Sequence, residues 1–193
     1  MPNDMLYALQ VLIAQPIEQQ VPAYLEEPVF AVRAGVESVL PNLLGITAHH
    51  GLQGDGHEAL VRVLRRSSTD PDLLSQGTHE LFSVGDAPRR LVGLGQIQLD
   101  TLLGERLACF HDTLAERSGL TAQGAATLTA MVAPFMFAMI KRDATRDKAL
   151  MSANVEHVLT GVKETLFERL SLRYWSALGL GSFKTHDARA CAT

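Results

Sequence analysis

The chain has 193 residues, 47% of them apolar and 6% aromatic, and a net charge of −4. That length suits one domain, or two halves around a shared core, and that apolar content excludes a disordered chain. Without a basic excess to neutralise phosphates, the chain is not expected to bind nucleic acid.

Met5, Leu6, Leu9, Leu12 and Ile13 fall at helical spacing and predict a helix over 3–15, with Asn3 as its N-cap. Pro16 and Pro22 each end or restart it, so 16–25 reads as a short helix or two turns. From Pro28 an apolar stripe runs through Val32, Val36, Val39, Leu40 and Leu43. Pro41 interrupts it, which predicts two helix pieces or one bent helix. His49–Glu58 reads HHGLQGDGHE and is expected to be a loop, because it holds three glycines and an aspartate in ten residues. Helix is expected again over 57–66, with Arg62, Arg65 and Arg66 outward, followed by short turns through Leu73–Leu74 and His79–Val84.

A helix over 87–103 carries Leu91, Leu94, Ile97 and Leu102 as its apolar positions, and Gly93 and Gly95 inside it point to close packing. Gly104 caps it, and Glu105–Arg117 is amphipathic. Thr121 is placed to N-cap the next apolar helix, which contains Pro134. After a polar turn over 143–147, a helix is expected over 148–178, with a mobile tail over 182–193. No window alternates like a strand between turn signals. The expectation is therefore an all-α, multihelical single domain over 1–181 with about eight to ten helices.

Residues 29–46 and 122–139 are both apolar, lie 93 residues apart and place a proline at the same point. They suggest an internal pseudo-repeat with halves of about 1–84 and 85–178. The GLGQIQLDTLLGE stretch, with Gly95, Leu99, Leu102, Leu103 and Gly104, resembles the glycine-spaced segment of the YidB-like bacterial family, domain of unknown function 937. Gly119, Leu120, Leu128 and Pro134 match the family's following proline-bearing element, and VESVLPNLLGI is similar to its first proline-bearing helix. The resemblance covers roughly residues 5–160. It implies a multihelical fold without an established activity. Some relatives carry a peptidoglycan-binding module, which makes envelope association a further expectation from the family alone. The C-terminal helix is longer than in the family pattern, and Phe135 and Phe137 add bulk beside Pro134.

The chemistry-bearing residues point to no reaction. His49, His50, Asp55 and His57 are metal-ligand types, but no H-x-x-x-H or HExxH spacing joins them, and no metal is expected. Cys109, His111 and Asp112 sit together, yet a two-residue offset on a helix turns Cys109 and His111 to different sides. The glycine-rich GLQGDG and LGLG stretches lack the lysine and the preceding strand of a phosphate loop. Glu26 and Glu27 read as helix-end acids. No catalytic residue and no cofactor are expected.

Charge is unevenly spread: residues 1–50 hold one basic side chain, Arg33, against five acidic ones, while nine basic residues face six acidic from Lys141 onward. That polarity would favour head-to-tail docking of two copies. Two cysteines, Cys109 and Cys191, fit a reducing compartment, and the first positive charge at Arg33 comes too late for a secretory signal, so a cytoplasmic location is expected. The uncharged run 118–140 is long enough to span a bilayer, but its first half is small and polar, and a buried helix is expected instead.

The surplus apolar residues are Met131, Phe135, Met136, Phe137 and Met139, with Phe167, Tyr174 and Trp175 farther on. They are the candidates for an apolar groove or an interface, since Met and aromatic side chains adapt to partners. The function expected is a non-catalytic module that binds a protein partner or forms a homodimer. The alternative is a carrier or sensor of a small apolar molecule held between helices.

Overall fold

The structure is a computed structural model and describes residues 4–83, 85–146 and 149–166. Asp4, one residue later than expected, caps the first helix by accepting the Tyr7 N–H at 3.2 Å. Helix α1 (Met5–Leu9) passes through a π-helical turn over Gln10–Ala14 directly into α2 (Gln15–Leu25). Pro16 therefore does not stop the helix. Its ring would crowd the carbonyl four residues back, and the wider π turn immediately before it relieves that contact. Pro22 also lies inside α2, which ends only where Glu26 adopts a left-handed φ of 56°.

Helix α3 (Val29–Gly51) runs unbroken through Pro41, and α8 (Ala122–Thr145) unbroken through Pro134. Of the two outcomes expected at Pro41, two pieces or one bent helix, the chain forms a single helix. A proline in a helix interior costs about 3 kcal/mol. Burial of Val36, Val39, Leu40, Leu43 and Leu44 along α3 outweighs that. The expected loop at 49–58 is also absent. α3 continues to Gly51, and α4 (Gly54–Arg65) starts after Leu52 and Gln53. Gly56 makes so tight a corner possible: a Cβ there would lie 2.2 Å from the His50 carbonyl oxygen.

A 3-10 turn over Pro71–Ser75 and the short α5 (Thr78–Phe82) lead to α6 (Asp86–Leu103), α7 (Arg106–Ser118), α8 and α9 (Ser152–Leu166). α8 extends through Thr145, so the polar turn expected at 143 begins later. The fold is all-α, with no strand among the described residues. On α6 the buried side is Leu91, Gly95, Gln98, Leu99 and Leu102, while Ile97, expected inward, is exposed. Gly95 explains the rotation: it sets α6 directly on the backbone of α8, and Gln98, one turn on, finds a buried hydroxyl partner in Thr69.

α8 is the central rod, packed by α3, α4, α6, α7, α9 and the 3-10 turn. α3 is the second, flanked by α2, α4, α7 and α9. Leu40, Leu43, Val132 and Met136 are all buried between these elements, and the Thr47 hydroxyl of α3 meets the Met136 sulfur of α8 at 3.7 Å. Both α3 and α8 are long and apolar enough to cross a membrane, and 61% and 83% of their most apolar stretches are buried inside the protein.

Candidate functional site

The histidines divide among different neighbours. His49 and His50 occupy the last turn of α3, and His57 the first turn of α4. The His49 Nε2 lies 2.9 Å from the Gln53 amide nitrogen. The His50 Nδ1 accepts from the Arg106 guanidinium at 3.2 Å, which ties α3 to the start of α7. The His57 Nδ1 donates to the Gly51 carbonyl at 2.8 Å, and its Nε2 pairs with the Ser152 hydroxyl at the start of α9. Among the described residues no group of three His, Cys, Asp or Glu converges as a metal site would require.

Burial lowers the pKa of His49, and Lys163, His50 and Arg106 add to that. Burial also lowers the pKa of His50, with Arg106 second, while a hydrogen bond to the Leu102 backbone and the charge of Asp55 act the other way. Both imidazoles therefore take up a proton less readily than a free histidine, at the point where α3, α7 and α9 meet.

On α7, Cys109 is half-buried against the core. His111 presses edge-on to Phe110, with ring centres 6.3 Å apart, and its Nε2 is buried without a hydrogen-bond partner among the described residues. Burial lowers its pKa, opposed by Asp112 and Asp100.

Met131, Phe135, Met136, Phe137 and Met139 expose 2% or less of their surface. They fill the interior, with Phe135 against Phe82 at 5.5 Å between ring centres, and do not line an open groove. Phe167, Tyr174 and Trp175 lie outside the described residues, as do the LGLG stretch and the tail over 182–193.

What the sequence missed is the apolar surface. Phe30 is 72% exposed and Ile97 55%, and Tyr7, Val11, Val29 and Met151 are also exposed. Tyr7 and Val11 are four residues apart and off the stripe of Leu6, Leu9 and Ile13, a signal that periodicity alone contains. Phe30, at the start of α3, falls off the Val32–Val36–Val39 stripe in the same way. Beside the α2–α3 corner lies a shallow cavity of about 400 Å³, lined by Tyr24, Leu25, Arg89, Val92, Gln123 and Thr127 among others. Its wall is held by Glu27, whose carboxylate accepts from the backbone N–H of Thr121 at 2.8 Å and from its hydroxyl at 2.5 Å.

Comparison with known proteins gives one family. The profile of the bacterial proteins of unknown function designated DUF937 matches residues 9–143. No curated protein and no solved structure matches the chain.

Proposed function

The chain belongs to DUF937, a family of bacterial proteins whose function is unknown, and on that premise we propose that it is a non-catalytic helical module that works by binding protein, either a partner or a second copy of itself. The observation that carries this reading is the exposure of large apolar side chains, Phe30 foremost, on helices whose inner faces are already filled. Scattered surface hydrophobics are ordinary, but a phenylalanine and a valine side by side at an exposed helix start are an anchor of the kind protein interfaces use. The hydrogen bonds that tie His50 to Arg106 and His57 to the Gly51 carbonyl and the Ser152 hydroxyl fit a structural role better than a catalytic one. Two cysteines in a chain of this length suit the reducing cytoplasm as the place of work.

Native mass spectrometry of the purified protein tests the proposal. It predicts an oligomer or a complex with a copurified protein. A monomer carrying one small apolar adduct per chain would replace it with the carrier reading.

A further inference from the structure

We propose that residues 167–180 of the same chain dock along the outer side of α3, with Arg173 against Glu37 and Leu180 over Phe30, and compete with a partner for that side. The inference rests on the protein-binding reading and adds its regulation.

Gly51, Leu44, Glu37 and Phe30 follow one another at steps of seven residues, about two helical turns, and so lie along one side of α3. α9 covers the C-terminal end of that side. Leu159 sits so close to Gly51 that a Cβ on residue 51 would lie 2.8 Å from its Cδ1. The start of α9 lies beyond that point, where the Ser152 hydroxyl pairs with His57 of α4. Past it comes Lys163, whose charge, after burial, does most to lower the pKa of His49. α9 therefore runs back along α3, against its direction. Seven residues after Leu159, Leu166 comes level with Leu44, and both are buried. Farther along the same side of α3, Glu37 and Phe30 are exposed.

The sequence continues the series. Seven residues after Leu166 is Arg173, level with Glu37, and seven after that is Leu180, level with Phe30. Opposite charges meet in the first pair and apolar side chains in the second. The spacing predicts helix as far as 178, two residues short of Leu180, so the chain beyond Leu166 is long enough to reach Phe30. Among the described residues, no hydrogen bond or ion pair engages the Glu37 side chain. The other charges along this line do not oppose the match. Arg33, between Glu37 and Phe30, is bound by Glu18 at 2.9 Å. Glu26, at the α2–α3 corner, is exposed and adds negative charge. On the segment, Arg169 lies one turn before Arg173, while Glu168 falls well around the helix from it.

A partner that uses Phe30 must displace the segment. Its apparent affinity then falls in proportion to the fraction of chains whose face is bare.

Amide hydrogen exchange over 167–180 in the full chain tests the docking, in the unaltered protein and in Glu37→Arg, Arg173→Glu, both reversals together, and Phe30→Ala. Phe30 and Glu37 are exposed, so the rest of the fold does not depend on them. Each reversal alone is expected to speed exchange roughly two- to fivefold, the worth of one exposed ion pair, and the double reversal to restore it. Phe30→Ala is expected to speed it roughly tenfold, through the apolar contact it removes. Exchange as fast as in an unfolded chain, or indifferent to these changes, overturns the docking. So does protection that grows with protein concentration, which places the segment on a second copy. Native mass spectrometry of Arg173→Glu, which leaves Phe30 intact, tests the competition. A larger share of oligomer, or of complex with a copurified protein, is expected than for the unaltered chain, and an equal share overturns it. A complex formed by an unaltered chain whose segment is unprotected ends the docking and keeps the protein-binding reading. A monomer with a small apolar adduct and a protected segment ends that reading and keeps the docking.

Discussion

Gly95 of α6 rests on the main-chain oxygen of Ala130 in α8, so closely that a Cβ on residue 95 would lie 1.8 Å from that oxygen. Ala130 is the residue four positions before Pro134, whose ring nitrogen has no hydrogen to give it. The proline leaves a carbonyl without its helical donor, and the glycine brings a Cα–H against it, a weak but favourable contact. Two residues that each weaken a helix thus join α6 to the central α8.

Gly95→Ala is expected to lose about 3 kcal/mol, at the upper end of overpacking costs, because the atom met is backbone and cannot swing aside. Gly93→Ala, on the same helix with nothing within 4 Å of its added Cβ, is expected to gain about 0.5–1 kcal/mol from helix propensity. Urea denaturation of the two variants checks the contrast. Equal effects would show that α6 does not approach α8 at this point.

Glu27→Gln and Thr121→Ala are each expected to lower stability by about 0.5–2 kcal/mol, the usual worth of an N-cap. Thr121 satisfies the Gly124 N–H at 3.0 Å and is itself held by Glu27, 94 residues away in sequence. The two losses should be less than additive in thermal melts, since both remove one linked cap.

Thr69→Val is expected to cost about 1–3 kcal/mol. It strands the Gln98 amide, which is fully buried and donates to the Thr69 hydroxyl at 2.9 Å, and it removes the hydroxyl's own bond to the Val63 carbonyl at 2.8 Å. Gln98→Leu in that background should recover part of the loss, because the Gln98 Oε1 has no partner among the described residues. Chemical denaturation of the single and double variants measures the recovery.

Stability is expected to fall as the pH drops below about 6.5, the ordinary histidine pKa. His49 and His50 have lowered pKa values in the folded protein, so below 6.5 the unfolded chain binds more protons than the folded one. Each therefore contributes stability that is present above 6.5 and lost as the pH falls toward its folded pKa. Replacing His50 by Asn should flatten the dependence of melting temperature on pH in the acidic range. An unchanged slope would remove His50 from the effect.

The sequence by itself determined the helical class, the family and the burial of Leu40, Leu43, Val132 and Met136. Each follows from apolar spacing or from glycine and proline placement, which are local properties. It also placed the Thr121 cap, since capping is decided by a few neighbouring residues. Only the tertiary structure decided that Pro22 and Pro41 stay within helices, because the packing that offsets their cost comes from distant parts of the chain. It alone turned HHGLQGDGHE into a tight corner, through the approach of Gly56 to the His50 carbonyl. It also exchanged Ile97 for Gln98 in the core. A buried amide is stable only where a hydroxyl meets it, and Thr69, 29 residues earlier, is visible as that partner only once α4 and α6 are side by side.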